Sequence, residues 1–203
     1  MIDYGSTTAL VIVDVQNDFA DSGGGLAVAG GDGVVSPINR EIGRAHAAGA
    51  LVVLTQDWHP PATPHFAKDG GIWPVHCVAD TWGAALHPAL EQPMDAPSVR
   101  KGSNGEDGYS GFTMRDPETG ETTATELEGL LRERGIERVI VCGLATDYCV
   151  KATALDAARL GFSTALIGDA IAAVDLQPGD GERALEEMRH AGVAVLSDAG
   201  VPG

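Results

Sequence analysis

Basic residues are scarce in this chain: lysine and arginine total 13 of 203 residues against 29 aspartates and glutamates, a net charge of −16. Such an acidic chain is a poor match for nucleic acid or an anionic membrane surface, so neither is expected as a partner. Long apolar runs are missing as well, and none approaches the roughly 20 residues that span a bilayer. The stretch Met1-Ile2-Asp3-Tyr4 has no basic region before its strand, so no signal peptide is expected. Cysteine occurs only three times, an odd number with no C-x-x-C spacing. That argues against a disulfide framework and against dithiol redox chemistry, and it fits a reducing, cytoplasmic setting. No G-x-G-x-x-G follows the first strand and no Walker lysine occurs, which leaves a nucleotide-binding module without support. What remains is a hydrophobic content of 44% at a mean hydropathy of +0.01. These values suit a soluble globular protein, a single domain over residues 1–203 with a substantial core.

Short apolar runs punctuated by glycine recur along the chain. Ala9–Val13, Leu51–Leu54, Ser98–Arg100, Val139–Cys142, Ser163–Ile167 and Val193–Val195 read as six strands, most of them buried on both faces. Helices are expected from near Asp32 to Gly49, from the capping pattern Thr123-x-x-Glu126 to Arg134, after Thr146 or Asp147, and from Glu182 to His190. Strands alternating with helices imply a parallel sheet covered on both faces, a three-layer α/β/α domain. Ligands in such sheets bind beyond the carboxyl ends of the strands, where strand order reverses. With the order 3-2-1-4-5-6, strands one and four are neighbours at that point.

The residues at those strand ends are chemically pointed. Asp14 ends strand one, Asp57 and His59 follow strand two, Lys101 ends strand three and Cys149 follows strand four. Cys149 is placed in the first turn of a helix, where free N–H groups and the helix dipole would lower its pKa and could hold an oxyanion. Taken alone, Cys149 reads as a packing residue and Lys101 as a surface lysine, while Asp14 reads equally as a turn aspartate or a catalytic one. Together they form a nucleophile, a base and a charge-balancing ammonium. Cys142, inside the strand, is expected to be inert.

Asp57, His59, His65 and His76 form a second set with the ligand types of a divalent transition ion such as Zn, Fe or Mn. Four of the six histidines fall between residues 59 and 87, on a long segment rich in Pro and Gly. His87 reads as structural. Phe19, Trp73 and Tyr109 can wall a slot for a flat ring, whereas Trp58 and Trp82 read as core.

At this level of detail the sequence resembles the nicotinamidase/pyrazinamidase family of isochorismatase-like cysteine hydrolases. The motifs are Val11-Ile-Val-Asp14-Val-Gln-Asn-Asp-Phe19, Asp57-Trp-His59, Trp73-Pro-Val-His76-Cys77-Val78, Lys101-Gly102, Tyr109-Ser-Gly-Phe112 and Gly143-Leu-Ala-Thr-Asp-Tyr-Cys149-Val. The resemblance implies the isochorismatase-like fold and amide hydrolysis of nicotinamide to nicotinate and ammonia through a Cys thioester, with pyrazinamide also accepted. It implies Asp14, Lys101 and Cys149 as the triad, and Asp57, His59, His76 and His65 as ligands of one divalent transition ion (Zn, Fe or Mn). It implies the N–H groups of Ala145 and Cys149 as the oxyanion hole, beside a cis peptide between Leu144 and Ala145. Phe19, Trp73, Tyr109 and Leu26 then contact the ring. Independently of the resemblance, a monomer or small homo-oligomer is expected. Tyr148, next to the nucleophile, has no assigned role. The alternatives are a metal-free amidohydrolase of the same fold acting on a carbamoyl or ureido substrate, a non-catalytic binding module of flavodoxin-like shape, and a thiol redox protein.

Overall fold

Apolar runs of the sequence become the strands of one sheet. The computed structural model describes residues 2–197, so both ends of the expected 1–203 domain lie outside the described residues. In chain order the strands are β1 (Thr8–Val13), β2 (Leu51–Asp57), β3 (Ser98–Lys101), β4 (Thr113–Arg115), β5 (Thr122–Ala124), β6 (Arg138–Leu144), β7 (Ser163–Ala172) and β8 (Ala194–Leu196). Six of them form a parallel sheet in the order β3-β2-β1-β6-β7-β8. Counting only its own strands, this is the expected 3-2-1-4-5-6. The pair β4–β5 makes a separate antiparallel hairpin.

The helices are a single turn α1 (Asn17–Ala20), α2 (Val35–Ala47), α3 (Leu127–Glu133), α4 (Lys151–Arg159) and α5 (Asp180–His190). Side chains alternate across a strand, and β1 uses both directions. Leu10 and Ile12 join the core built on α2 by Val35, Ile38, Ile42 and Ala45. Ala9, Val11 and Val13 join the opposite core built by Leu127 and Leu131 of α3, Ala154 and Ala157 of α4, and Met188 of α5. Each fully buried Val, Leu or Ile contributes about 1.5–3 kcal/mol. A one-residue slip of β1 would therefore disrupt two cores together. Among the described residues no helix is long and apolar enough to cross a membrane.

Several local expectations are corrected. Thr123 lies in β5 and pairs with Met114 of β4, so Thr123-x-x-Glu126 is not a capping box. α3 begins later, at Leu127, whose N–H bonds the Thr125 hydroxyl. Neither Thr146 nor Asp147 caps the helix after β6. Thr146–Val150 is a π-helical turn with Ala145 at its cap position. The Asp147 carboxylate instead accepts the N–H groups of Val174 and Asp175, both at 2.9 Å. Trp82 is 56% exposed and not core. Trp58 is partly buried against the α2-side core, with the Arg100 guanidinium 3.7 Å above its ring. The segment from Pro60 to Pro93 is tied down by bridges pairing His59 with Val78, Phe66 with Trp73 and Gln16 with Leu86.

Candidate active site

The carboxyl ends of β1, β2, β3 and β6 lie side by side. In the sheet register Asp57 is opposite Lys101, and Val13 is opposite Gly143. Gly143 has φ +114°, and a Cβ there would strike the Val13 carbonyl oxygen, so only glycine lets the strands stay this close. The Leu144–Ala145 peptide that follows is cis. Asp14 turns off β1 with φ +50°, a left-handed conformation that Asp tolerates better than most residues.

Lys101 is fully buried, as is Asp14. Its Nζ donates to Asp14 Oδ2 at 2.7 Å, to Asp57 Oδ1 at 2.6 Å and to the Gly108 carbonyl. The Thr55 hydroxyl donates to Asp14 Oδ1 at 2.6 Å. Cys149 is 7% exposed, and its sulfur lies within 4.8 Å of carboxylate oxygens of Asp14 and Asp57. The thiol, the carboxylate and the ammonium therefore converge, as the strand ends implied.

Their electrostatics differ from the sequence expectation at one point. The Cys149 thiol is not acidified. Burial pushes its pKa well above the ordinary value, Lys101 opposes this, and Asp14 and Asp57 add to the rise. Lys101 divides its charge between two carboxylates and itself stays protonated, since Asp14 and Asp57 outweigh the desolvation that would lower its pKa. Burial raises Asp14 to about 6 against the opposing pull of Lys101. For Asp57 burial is outweighed by Lys101, His59 and His76, which hold its carboxyl well below the usual range. The resting site thus pairs a neutral thiol with a carboxylate whose affinity for a proton is tuned upward. That suits proton transfer during attack better than a standing thiolate does.

Beside these groups, nitrogens of His59, His65 and His76 lie within 4.8 Å of one another. Asp57 Oδ2 is 3.8 Å from His59 Nε2 and 3.9 Å from His76 Nε2. His59 is fully buried, and among the described residues neither of its ring nitrogens has a hydrogen-bond partner. A buried, unpaired imidazole is costly and calls for an explanation such as an ion. The other two rings are oriented through Nδ1, His76 by the Pro74 carbonyl at 2.8 Å and His65 by Asp107 Oδ1 at 2.6 Å. This leaves their Nε2 lone pairs free for a ligand role. The donor set of three imidazoles and one carboxylate fits a divalent transition ion. His87 stands outside this group, as expected. Gly102 belongs to the same centre. It has φ +75°, and a Cβ there would lie 2.5 Å from His59 Cε1.

A narrow cleft opens over Cys149, and Phe19, Leu26, Trp73, Tyr109 and Tyr148 are among its walls. Trp73 Nε1 donates to the Tyr109 hydroxyl at 2.8 Å. Tyr148 stands edge-on to Trp73 at 4.8 Å between centroids and makes a further aromatic wall. His65 and His76 line the same cleft.

Sequence reasoning missed the residues that hold this site in place. Gln16 clamps the Asp57 backbone, donating to its carbonyl at 2.7 Å and accepting its N–H at 2.8 Å. Asp18 accepts the N–H groups of Gly25 and Cys77, at 2.8 and 2.6 Å, and so ties the loop Gly23-Gly24-Gly25 to the His76 segment. Gln16 and Asp18 stood in a matching motif without a role. Asp107 gave no signal beyond being acidic.

Comparison with known proteins adds to the geometry. The family model described as the isochorismatase domain matches residues 8–199. The nicotinamidase of Escherichia coli (strain K12) is 41% identical, over 93% of this chain and 94% of that protein. The pyrazinamidase of Pyrococcus horikoshii, solved in complex with zinc, superposes with a TM-score of 0.84 at 41% identity, covering 94% of this chain and 99% of that one. PnC1 from L. infantum, solved in complex with nicotinate, superposes with a TM-score of 0.86 at 38% identity, covering 98% and 96%.

Proposed function

The chain belongs to the isochorismatase family, and on that footing we propose that it is a cysteine amidohydrolase converting nicotinamide to nicotinate and ammonia, with pyrazinamide as a second substrate. The observation that carries this reading is the buried Asp14–Lys101 pair at 2.7 Å, adjoining both the Cys149 thiol and the three-histidine cluster under one aromatic cleft.

The pyridine ring enters between Phe19, Leu26, Trp73 and Tyr109, with Tyr148 closing one side. This fixes the carboxamide carbon over the Cys149 sulfur and removes most of the orientational cost of the attack. Asp57, His59, His65 and His76 would hold a divalent ion, which would supply Lewis acidity for orienting the ring. Asp14 takes the thiol proton as sulfur bonds to the carbonyl carbon. The N–H groups of Ala145 and Cys149 receive the oxygen of the tetrahedral adduct. Asp14 then passes its proton to the leaving nitrogen, ammonia departs and a thioester remains. Asp14, ionised again, takes a proton from the water that hydrolyses the thioester and returns it to sulfur. Throughout the cycle Lys101 offsets the charge that alternates between Asp14 and Cys149.

The three cysteines are free thiols, in keeping with work in the reducing cytoplasm. The direct test is ammonia release from nicotinamide by the wild type and by Cys149→Ala, beside calorimetric binding of nicotinamide. The variant is expected to bind the amide and release no ammonia; substantial turnover would remove Cys149 as the nucleophile.

A further inference from the structure

The three histidines are held in unequal ways. His59 is carried on the segment that leaves β2, and its backbone pairs with Cys77 and Ala79. His76 is fixed by the carbonyl of Pro74, two residues away in its own segment. His65 sits on a connection between strands, Thr63-Pro64-His65-Phe66, and its ring is fixed from a different segment altogether. The partner is Asp107, which lies 42 residues further on and whose Oδ1 is 2.6 Å from His65 Nδ1.

Asp107 is itself held from both sides. Its backbone pairs with that of Arg115, with N–H to carbonyl distances of 2.7 and 3.2 Å, and its Oδ2 lies 3.3 Å from the Arg115 guanidinium. Arg115 ends β4, so the hairpin that takes no part in the main sheet braces this carboxylate. A second clip joins the same two segments, the Thr63 hydroxyl donating to the Gly105 carbonyl at 2.8 Å. The His65 side chain is 4% exposed and that of Asp107 12%, so the contact is shielded from water. A carboxylate accepting the Nδ1 proton fixes the tautomer and the ring plane, and it makes the opposite nitrogen a better donor to a metal.

We propose that Asp107 is a positioning residue for the metal centre, one that holds His65 with Nε2 turned toward the ion, and that Arg115 backs it from the hairpin. The proposal rests on the reading of His65 as a ligand given above. It explains why a hairpin outside the main sheet is joined to the active-site floor.

The test uses metal binding and not turnover, so it stands apart from the question of substrate. Wild type, His65→Ala, Asp107→Ala, Asp107→Asn and Arg115→Ala are each titrated with zinc against a chromophoric chelator. Each is also loaded with cobalt(II) for its visible absorption spectrum, and far-UV circular dichroism confirms the fold. Asp107→Ala is expected to lower metal affinity about 10–100-fold and to shift the cobalt spectrum toward that of His65→Ala. Asp107→Asn, with a neutral acceptor in place of the carboxylate, is expected to lose less, and Arg115→Ala less again. Wild-type affinity and spectrum in Asp107→Ala would overturn the proposal, and so would wild-type values in His65→Ala. Should Asp107→Ala fail to fold, Asp107→Asn carries the same decision: a weakened site with an altered spectrum supports the proposal and an unchanged one ends it. A protein that binds metal in this graded way yet leaves nicotinamide intact would refute the assigned reaction and not the role of Asp107.

Discussion

Replacing Lys101 by methionine isolates the charge at the centre of the site. The substitution keeps an unbranched apolar stem and removes only the ammonium, which is fully buried and bonded to Asp14 at 2.7 Å and Asp57 at 2.6 Å. Two buried carboxylates then lose the ammonium they share. Breaking a buried ion pair from one side costs about 3–5 kcal/mol. For a chain of this size each kcal/mol lowers Tm by about 2–4 °C, so a drop of roughly 6–20 °C is expected. Chemistry should suffer in a way that stability alone does not predict. Asp14 is already raised to about 6 by burial, and Lys101 is the chief influence opposing that rise. Without it, burial and the Asp57 charge act together and the pKa climbs further. A base must be ionised to accept the thiol proton, so the acid limb of kcat/KM moves to higher pH. Differential scanning calorimetry and a pH–rate profile on metal-loaded protein read the two effects separately. A Lys101→Met protein that melts with the wild type and keeps its acid limb in place would refute the reasoning.

In the wild type, kcat/KM for nicotinamide is expected to fall on the acid side around pH 6, because Asp14 raised to about 6 is protonated below that pH and cannot act as a base. Steady-state rates across buffers of constant ionic strength check this, and a flat profile through that region would count against Asp14. Gly102→Ala is expected to weaken metal binding by an order of magnitude or more, about what loss of ligand support costs. It forces a side chain into a left-handed position and its Cβ onto the His59 ring. Zinc titration of the variant measures the loss. Dialysis against a strong chelator is expected to stop turnover, and one equivalent of divalent ion to restore it; full activity in a metal-free sample would end the anchoring role.

The sheet and the groups at its rim were legible because parallel strands buried on both faces leave unbroken apolar runs, and because the end of each run names the residue that follows it. Asp14, Asp57, Lys101 and Cys149 were found in that way, and the strand order then predicted their meeting. Local patterns served less well where two structures compete for one segment. Thr123-x-x-Glu126 has the spacing of a helix start, yet Thr122–Ala124 pairs across the Asp116–Gly120 turn as a hairpin, and that pairing prevails. The π-helical turn at Cys149 has no sequence period to reveal it. The acidity expected of a thiol in a first helical turn was overruled by burial beside two carboxylates, a balance that depends on distances between segments far apart in the chain. Asp107 lay outside sequence reasoning for the same reason. Its meaning comes from His65, 42 residues away, and a lone acidic residue in an acidic chain attracts no notice.

The claim on which the rest depends is that the sulfur of Cys149 takes the acyl group from the amide. Rapid acid quenching of enzyme turning over nicotinamide, followed by digestion and mass spectrometry, tests it most directly. The account predicts a nicotinoyl group on the peptide that contains Cys149, carried through a base-labile thioester and absent from Cys142 and Cys77. Ammonia released at the normal rate with no acyl group ever found on that peptide would contradict it.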